Sequence, residues 1–326
     1  MSVLSKFKNT YKGLEKSATS IATKANKNKF VLMVDMCCCL IKYSASPNNY
    51  EKFEFYNLTK AQRATYVTYG LSQKMIKKFN NPVDIDVFEN KLKFAEVFKD
   101  MFSREYLNVT EMTYDDFKSF CENKEKFICK PYEGSQGADI KVYRTGNTEE
   151  LFNEIKENYS KGFMLEEWIS QHPVLSEIYP DAVNCLRIIT VYDGMKAHLI
   201  TGGVTFGIET EIANGSQPSI VAPVDFETGI MHKSAATFGS ELYEFHPKTN
   251  VKIKGVKLPY WNEIVEMLEK ACAKIPTVGY IGWDIAITPN GPVIIEGNTT
   301  PGYKYYQRPK HLEHGIGNRE KYEKYL

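Results

Sequence analysis

No apolar run in this chain is long enough to cross a bilayer. The longest, residues 30–41, has 12 residues and carries Asp35, against the roughly 20 that a spanning helix needs. The N-terminus is rich in lysine but lacks the apolar core and small-residue cleavage site of a signal peptide, so a cytoplasmic protein is expected. An excess of one charge is missing too. Lys+Arg number 41 and Asp+Glu 40, a net charge of +1, which is not the basic surface of a nucleic-acid binder. Cysteine is sparse and unpatterned: Cys37, Cys38 and Cys39 are adjacent, and Cys121, Cys129, Cys185 and Cys272 are scattered. Three neighbours on a helix point in different directions, and no Cys-x-x-Cys or Cys/His spacing exists, which excludes a zinc site of the usual kind. Reduced, mostly buried thiols are expected. Internal repeats and low-complexity tracts are also absent.

What is present is a globular composition, 43% hydrophobic and 25% charged over 326 residues, with room for two domains. Residues 1–29 hold seven lysines against Glu15 alone, a local charge of +6. Leu4, Phe7, Tyr11, Leu14, Ala18, Ile21 and Ala25 step by three and four, which predicts a basic amphipathic helix. Its stripe packs on the body of the protein or lies on an anionic membrane. Residues 30–105 read as helical, with helices over 30–43 and 59–79, Thr59 as an N-cap, a break at Asn80-Asn81-Pro82, and a further helix from Asn90. From residue 127 the texture changes to short strands and Gly-bearing turns: 127–132, 140–144, 163–168, then 185–192 and 196–206 about Asp193-Gly194. A helix over 260–274 precedes a second hairpin, 280–288 and 292–297. The class is α+β.

Chemistry concentrates in the last hairpin. Side chains alternate along a strand, so Glu296 and Asn298 share a face, and the Asn290-Gly291 turn returns that strand beside Asp284 within about one residue of register. Two carboxylates and an amide oxygen side by side repel unless a cation joins them, and magnesium on nucleotide phosphates uses one or two carboxylates. The other reading is exposure to solvent, which the flanking Ile281, Trp283, Ile285, Ile294 and Ile295 oppose. Lys130 and Arg187 lie within apolar strands, and a buried cation needs an anionic partner. For Arg187 a structural salt bridge competes with a phosphate or a substrate carboxylate.

Asp284, then Glu296-Gly297-Asn298-Thr299-Thr300-Pro301-Gly302, resembles the magnesium-binding end of ATP-grasp ligases such as the D-alanine–D-alanine ligases. Further elements follow in order. Lys91, with Lys93 as rival, resembles the first phosphate lysine and Lys130 the second. Glu133-Gly134-Ser135-Gln136-Gly137 resembles the glycine loop over the triphosphate. The 163–169 stretch resembles the hinge that reads adenine, with Glu166, Glu167, Trp168 and Ile169 as nucleotide contacts. Tyr50, Phe53, Gln62-Arg63, Arg104, Gln171-His172, Asn184-x-x-Arg187, His246-Pro247 and Gly282-Trp283-Asp284 narrow the resemblance to the sugar-transfer-associated ATP-grasp family, from about residue 30 to about 303.

The resemblance implies an ATP-grasp fold, two α+β lobes gripping ATP behind a helical N-terminal region. The segment 106–168 would form the small lobe and 169–326 the large lobe with the metal site. ATP and magnesium are the implied cofactors. Lys91, Lys130 and Arg187 would contact phosphate, with Lys130 and Arg187 catalytic. Asp284, Glu296 and Asn298 would bind metal, and Asn184, Thr299, Thr300 and Gly302 would line the substrate pocket. Arg187 would stand in for the arginine that many such ligases carry where Gly282 lies, with His198, His232 and Lys233 as other phosphate candidates. The implied activity is ATP-dependent joining of a carboxylate to an amine in surface-polysaccharide biosynthesis, on small or glycan-linked substrates. A small-molecule kinase and a non-catalytic nucleotide binder are the alternatives. Membrane contact, if any, would run through residues 1–29 at the inner face. The basic residues of the tail (Lys304, Arg308, Lys310, Arg319, Lys321, Lys324) carry no assignment.

Overall fold

The computed structural model describes residues 3–134, 140–159, 161–209, 219–237 and 241–326, with side chains from Tyr11 onward. The chain divides into two compact units. The first comprises Met1–Phe79, Ala236–Leu242 and Gly302–Leu326, and the second Asn80–Ala235 and Tyr243–Pro301. Residues 80–105, grouped with 30–79 by sequence, thus lie in the unit that holds the main sheets.

The first unit is mostly helical. Helix α1 (Val3–Ala25) buries Leu14, Ala18 and Ile21 against α2 (Lys29–Tyr43) and α3 (Pro47–Lys52), so this part of the expected stripe faces protein. Asn28 caps α2 through its Oδ1, which accepts from the backbone N–H of Phe30 and Val31. The helix expected over 59–79 is interrupted. Thr59 and Gln62 form a capping box at α4 (Lys60–Ala64), and α5 (Tyr69–Phe79) starts afresh. Between them the Thr65 hydroxyl turns back to the Gln62 carbonyl at 2.6 Å. Gln307 then takes both backbone groups of Val67, accepting its N–H at 2.8 Å and donating to its carbonyl at 3.1 Å. A side chain from the far end of the sequence replaces the helix's own hydrogen bonds.

The second unit begins with α6 (Asp86–Glu89), α7 (Lys91–Val97) and α8 (Lys99–Phe102). A four-stranded antiparallel sheet follows, in the order β1 (Tyr106–Asn108), β4 (Phe163–Glu167), β2 (Lys126–Pro131), β3 (Lys141–Arg144). Helices α9 (Tyr114–Cys121) and α10 (Thr148–Asn158) bury Phe117, Phe120 and Ile155 with Phe127 and Leu165 of this sheet.

After α11 (Pro173–Ile178), the larger sheet is built on β5 (Cys185–Tyr192), β6 (Ala197–Gly207), β7 (Ser219–Pro223) and the last hairpin, β10 (Tyr280–Thr288) and β11 (Gly291–Asn298). Its order is β11-β10-β5-β6-β7, continued by the two-residue strands β8 (Ala235–Ala236) and β9 (Leu242–Tyr243). The expected strand limits hold to within about two residues. Helix α12 (Trp261–Lys274) presses Ile264, Leu268 and Ala271 into the core shared with Ile188, Trp283 and Ile285. Asn80 closes the edge: it accepts from Tyr280 N–H at 2.8 Å and donates to the carbonyls of Tyr280 and Thr299, both at 2.9 Å.

Candidate active site

Three adjacent strands bring the principal charges into one row. Asp284 on β10 is in register with Glu296 on β11 and with Arg187 on β5. A bulge follows at once, since the pairing shifts between Asp284 and Ile285, which lets a strand re-aim its side chains beside a site. Arg187 grips Asp284 with two hydrogen bonds, Nε to Oδ1 and Nη2 to Oδ2, and its Nη2 lies 3.9 Å from Glu296 Oε1. Asn298 Nδ2 donates to Glu296 Oε1 at 3.2 Å and lies 3.5 Å from Asp284 Oδ2. Burial, then the facing charge of Asp284, push the Glu296 carboxyl above its usual range, with Arg187 and Lys130 pulling the other way.

A second cluster sits on the four-stranded sheet. Glu166 on β4 is buried and takes Arg104 Nε at 2.6 Å on one oxygen and Lys130 Nζ on the other. Burial works against its ionisation, yet Arg104 and Lys130 outweigh it and hold the carboxyl below its usual range. Arg104 also donates to the carbonyls of Phe102 and Ile294, each at 2.9 Å, which ties this cluster to the strand bearing Glu296. Its guanidinium lies 3.4 Å from the Phe102 ring centroid. Lys91 opens α7, donates from Nζ to the Gly134 carbonyl at 2.9 Å, and has its pKa lowered by burial while Glu296 pulls it up. Lys93 instead pairs with Asp86 at the surface, so Lys91 is the lysine that reaches the glycine loop.

Several assignments change on this geometry. Glu166 was expected to read the nucleotide, but both its oxygens are taken by Arg104 and Lys130. Asn184 was expected to line the substrate pocket, but it is fully buried and its Nδ2 reaches Gln171 Oε1 and the Leu175 and Tyr179 carbonyls at 2.8–3.0 Å. It braces the turn before β5. His198 is occupied by Asp193 at the β5–β6 turn, 2.6 Å away. Glu133 and Gly134 are exposed, and Ser135, Gln136 and Gly137 lie outside the described residues. Glu167, Trp168 and Ile169 are half-buried where β4 ends, with Lys126 Nζ 3.7 Å over the Trp168 ring. Thr299 is buried, Thr300 exposed, and Gly302 belongs to the first unit beside Tyr305.

Arg104 entered the sequence reading only as a mark of the family resemblance, without a place in the candidate site. Its partner Glu166 lies 62 positions away on β4, so no local spacing could reveal the pairing. Cys185, two residues before Arg187, likewise had no place in the candidate site; burial and then the neighbouring Asp284 charge raise its thiol well above the usual range.

The donor set fits magnesium. Asp284 and Glu296 offer carboxylate oxygens and the row carries two negative charges against one positive, so a hard cation answers both its chemistry and its charge. Asn298 aims its amide at the same point, and turning the amide over presents oxygen instead of nitrogen. Among the described residues no group of three or more His, Cys, Asp and Glu side chains offers a rival site.

The chain matches the profile of the sugar-transfer associated ATP-grasp family over residues 70–314. It belongs to that family and has the ATP-grasp fold. The match starts later than the sequence motifs suggested, leaving Tyr50, Phe53 and Gln62-Arg63 outside it, and runs past Gly302. Among solved structures, the chain is similar to the ATP-grasp ligase PsnB complexed with minimal precursor, at 11% identity over 76% of this chain and 62% of that one, TM-score 0.46. It is similar to the VanG D-Ala:D-Ser ligase from Enterococcus faecalis at 12% identity, over 73% and 62% of the two chains, TM-score 0.44. D-alanyl-alanine synthetase A from Vibrio cholerae shows 14% identity over 72% and 63%, TM-score 0.42. The chain thus spans about three-fifths of the length of these structures. A search of curated proteins finds no match.

Proposed function

We propose that this protein is an ATP-dependent carboxylate–amine ligase that works through an acyl phosphate on sugar-linked or small-molecule precursors of a surface glycan. The observation that carries the reading is the Glu296–Asp284–Arg187 row, within a chain of the ATP-grasp family. In this reading a substrate carboxylate oxygen bonds to the γ-phosphorus, the bond to the β-phosphate oxygen breaks, and ADP leaves. An amine then attacks the acyl carbon, loses a proton, and inorganic phosphate departs.

Phosphoryl transfer requires alignment and positive charge more than covalent help from the protein. Lys91 and Lys130 hold the phosphates, and Arg187 meets the transferring group or the substrate carboxylate. Asp284, Glu296 and Asn298 would hold magnesium, which would neutralise phosphate charge when bound. The half-buried Glu167, Trp168 and Ile169 flank the nucleotide base, and Thr299 and Thr300 face the acceptor.

The test is ATP turnover in magnesium with pooled amino acids and amino sugars, reading ADP and phosphate together. Equimolar ADP and phosphate, formed only when both a carboxylate and an amine are supplied, is the expected result. ADP without free phosphate would mean that a phosphorylated product is kept, and the ligase reading would fail in favour of a kinase.

A further inference from the structure

Helix α2 is apolar on both sides, and only one side is used. Leu32, Met36, Cys39 and Tyr43, at spacings of four, three and four, are buried. On the opposite side Phe30, Val34, Cys37, Cys38 and Ile41 recur at the same helical period and are exposed, Phe30 by 74% and Ile41 by 84%. Val31, 62% exposed, widens this face. A continuous apolar face of this kind, unlike scattered surface residues, marks a surface that something covers.

The charge around it indicates what. Lys42 stands on one edge of the apolar face by helical projection, and Lys29, toward the buried side, pairs with Glu15 of α1 at 3.3 Å. The segment that leads into it, residues 1–28, carries six lysines and a single acid. An apolar face with Lys42 at its edge and a lysine-rich segment leading into it complements a sheet of anionic headgroups above hydrocarbon. The stripe of α1 cannot do this with Leu14, Ala18 and Ile21, because those side chains are spent inside the first unit. Helix α2 also lies outside residues 70–314, the part that matches the family.

We infer that the outward face of α2, Phe30, Val31, Val34, Cys37, Cys38 and Ile41, is a docking surface for an anionic lipid bilayer. The helix lies flat in the interface, with Phe30 and Ile41 entering the acyl boundary and Lys42 held at headgroup level. This surface serves attachment only and is separate from the row that carries Glu296.

The test is co-sedimentation of the full chain with vesicles of phosphatidylcholine alone and with one quarter phosphatidylglycerol. The double variant Phe30→Asp/Ile41→Asp is run beside it, and Val83→Asp, on an exposed residue of the other unit, serves as control. Equal melting temperatures of the three proteins establish that all are folded. Binding to the anionic vesicles that weakens in 0.5 M salt, falls at least tenfold in the double variant and survives in the control is expected. No binding, equal binding to both lipids, or equal binding by the double variant overturns the inference. A dimer seen by light scattering that the double variant dissolves, without vesicle binding, assigns the face to a second copy and overturns it as well.

Discussion

The cluster around Glu166 and the row around Glu296 use the same kinds of side chain and carry opposite surplus charge. At Glu166 two cations, Arg104 and Lys130, share one carboxylate, and all three are buried. At Glu296 two carboxylates share Arg187, and that row is more open. Buried charge is costly unless compensated, and in the proposed reading each surplus is where a ligand would complete the count. The positive surplus suits phosphate and the negative one a divalent cation. Asp35 of the first unit supplies the contrast. It meets Arg63 with two 2.8 Å bonds and Tyr50 OH at 2.7 Å, one charge against one, and nothing is left over.

The comparison breaks most visibly at Glu296. Glu296→Gln should lower magnesium-dependent ATP turnover by about a hundredfold or more without lowering the melting temperature, because it removes a charge that Asp284 repels. Near-normal turnover would remove the metal assignment. Glu166→Gln should act on stability first. It leaves Arg104 and Lys130 buried around a neutral amide, a loss of about 3–5 kcal/mol, measured by denaturant unfolding. A loss under about 1 kcal/mol would show that the cations do not depend on Glu166.

Asp35 sharpens the contrast through pH. Burial would raise its pKa, but the bonds from Arg63 and Tyr50 prevail and hold it below the usual aspartate value. Because the folded pKa is the lower one, this contribution is present above the unfolded aspartate pKa and is lost as pH falls through the folded one. The melting-temperature gap between wild type and Asp35→Asn should therefore be constant near neutrality and close on acidification. A gap that widened in acid would contradict the pairing. The smallest effect belongs to Lys93→Ala. Its partner Asp86 is on the surface, so turnover and melting temperature should hardly move, whereas Lys91→Ala should slow turnover. Equal losses in both would undo the choice between them.

The last hairpin was legible in sequence because its signals are local. The Asn290-Gly291 turn and alternating apolar residues fixed both strands, and Asp284 came to stand opposite Glu296. Order along the chain then made Lys91, Lys130 and Arg187 candidates through the family resemblance. Contacts between distant positions were not legible. Nothing near Thr65 announces that Gln307 will take the hydrogen bonds of Val67. Nothing near Glu166 announces Arg104. Asn184 shows the converse: a polar residue in an apolar strand looks the same whether it faces a substrate or braces a turn, and only its three partners distinguish them. Lys91 and Lys93 share one short helix, so the choice needed Asp86 and Gly134.

Gly297 separates Glu296 from Asn298, and on the far side of β11 a Cβ there would lie 2.7 Å from the Phe88 ring and 3.3 Å from Phe94. Phe94 belongs to α7, the helix that Lys91 opens. The spacing of the candidate metal donors and the fit of the aromatic core are thus written into the same three residues. Drift in the core must keep a ring beside a bare backbone, and drift in the site must keep a position that the core has already claimed. A side chain at Gly297 would therefore disturb the aromatic core and the candidate donors on either side of it together.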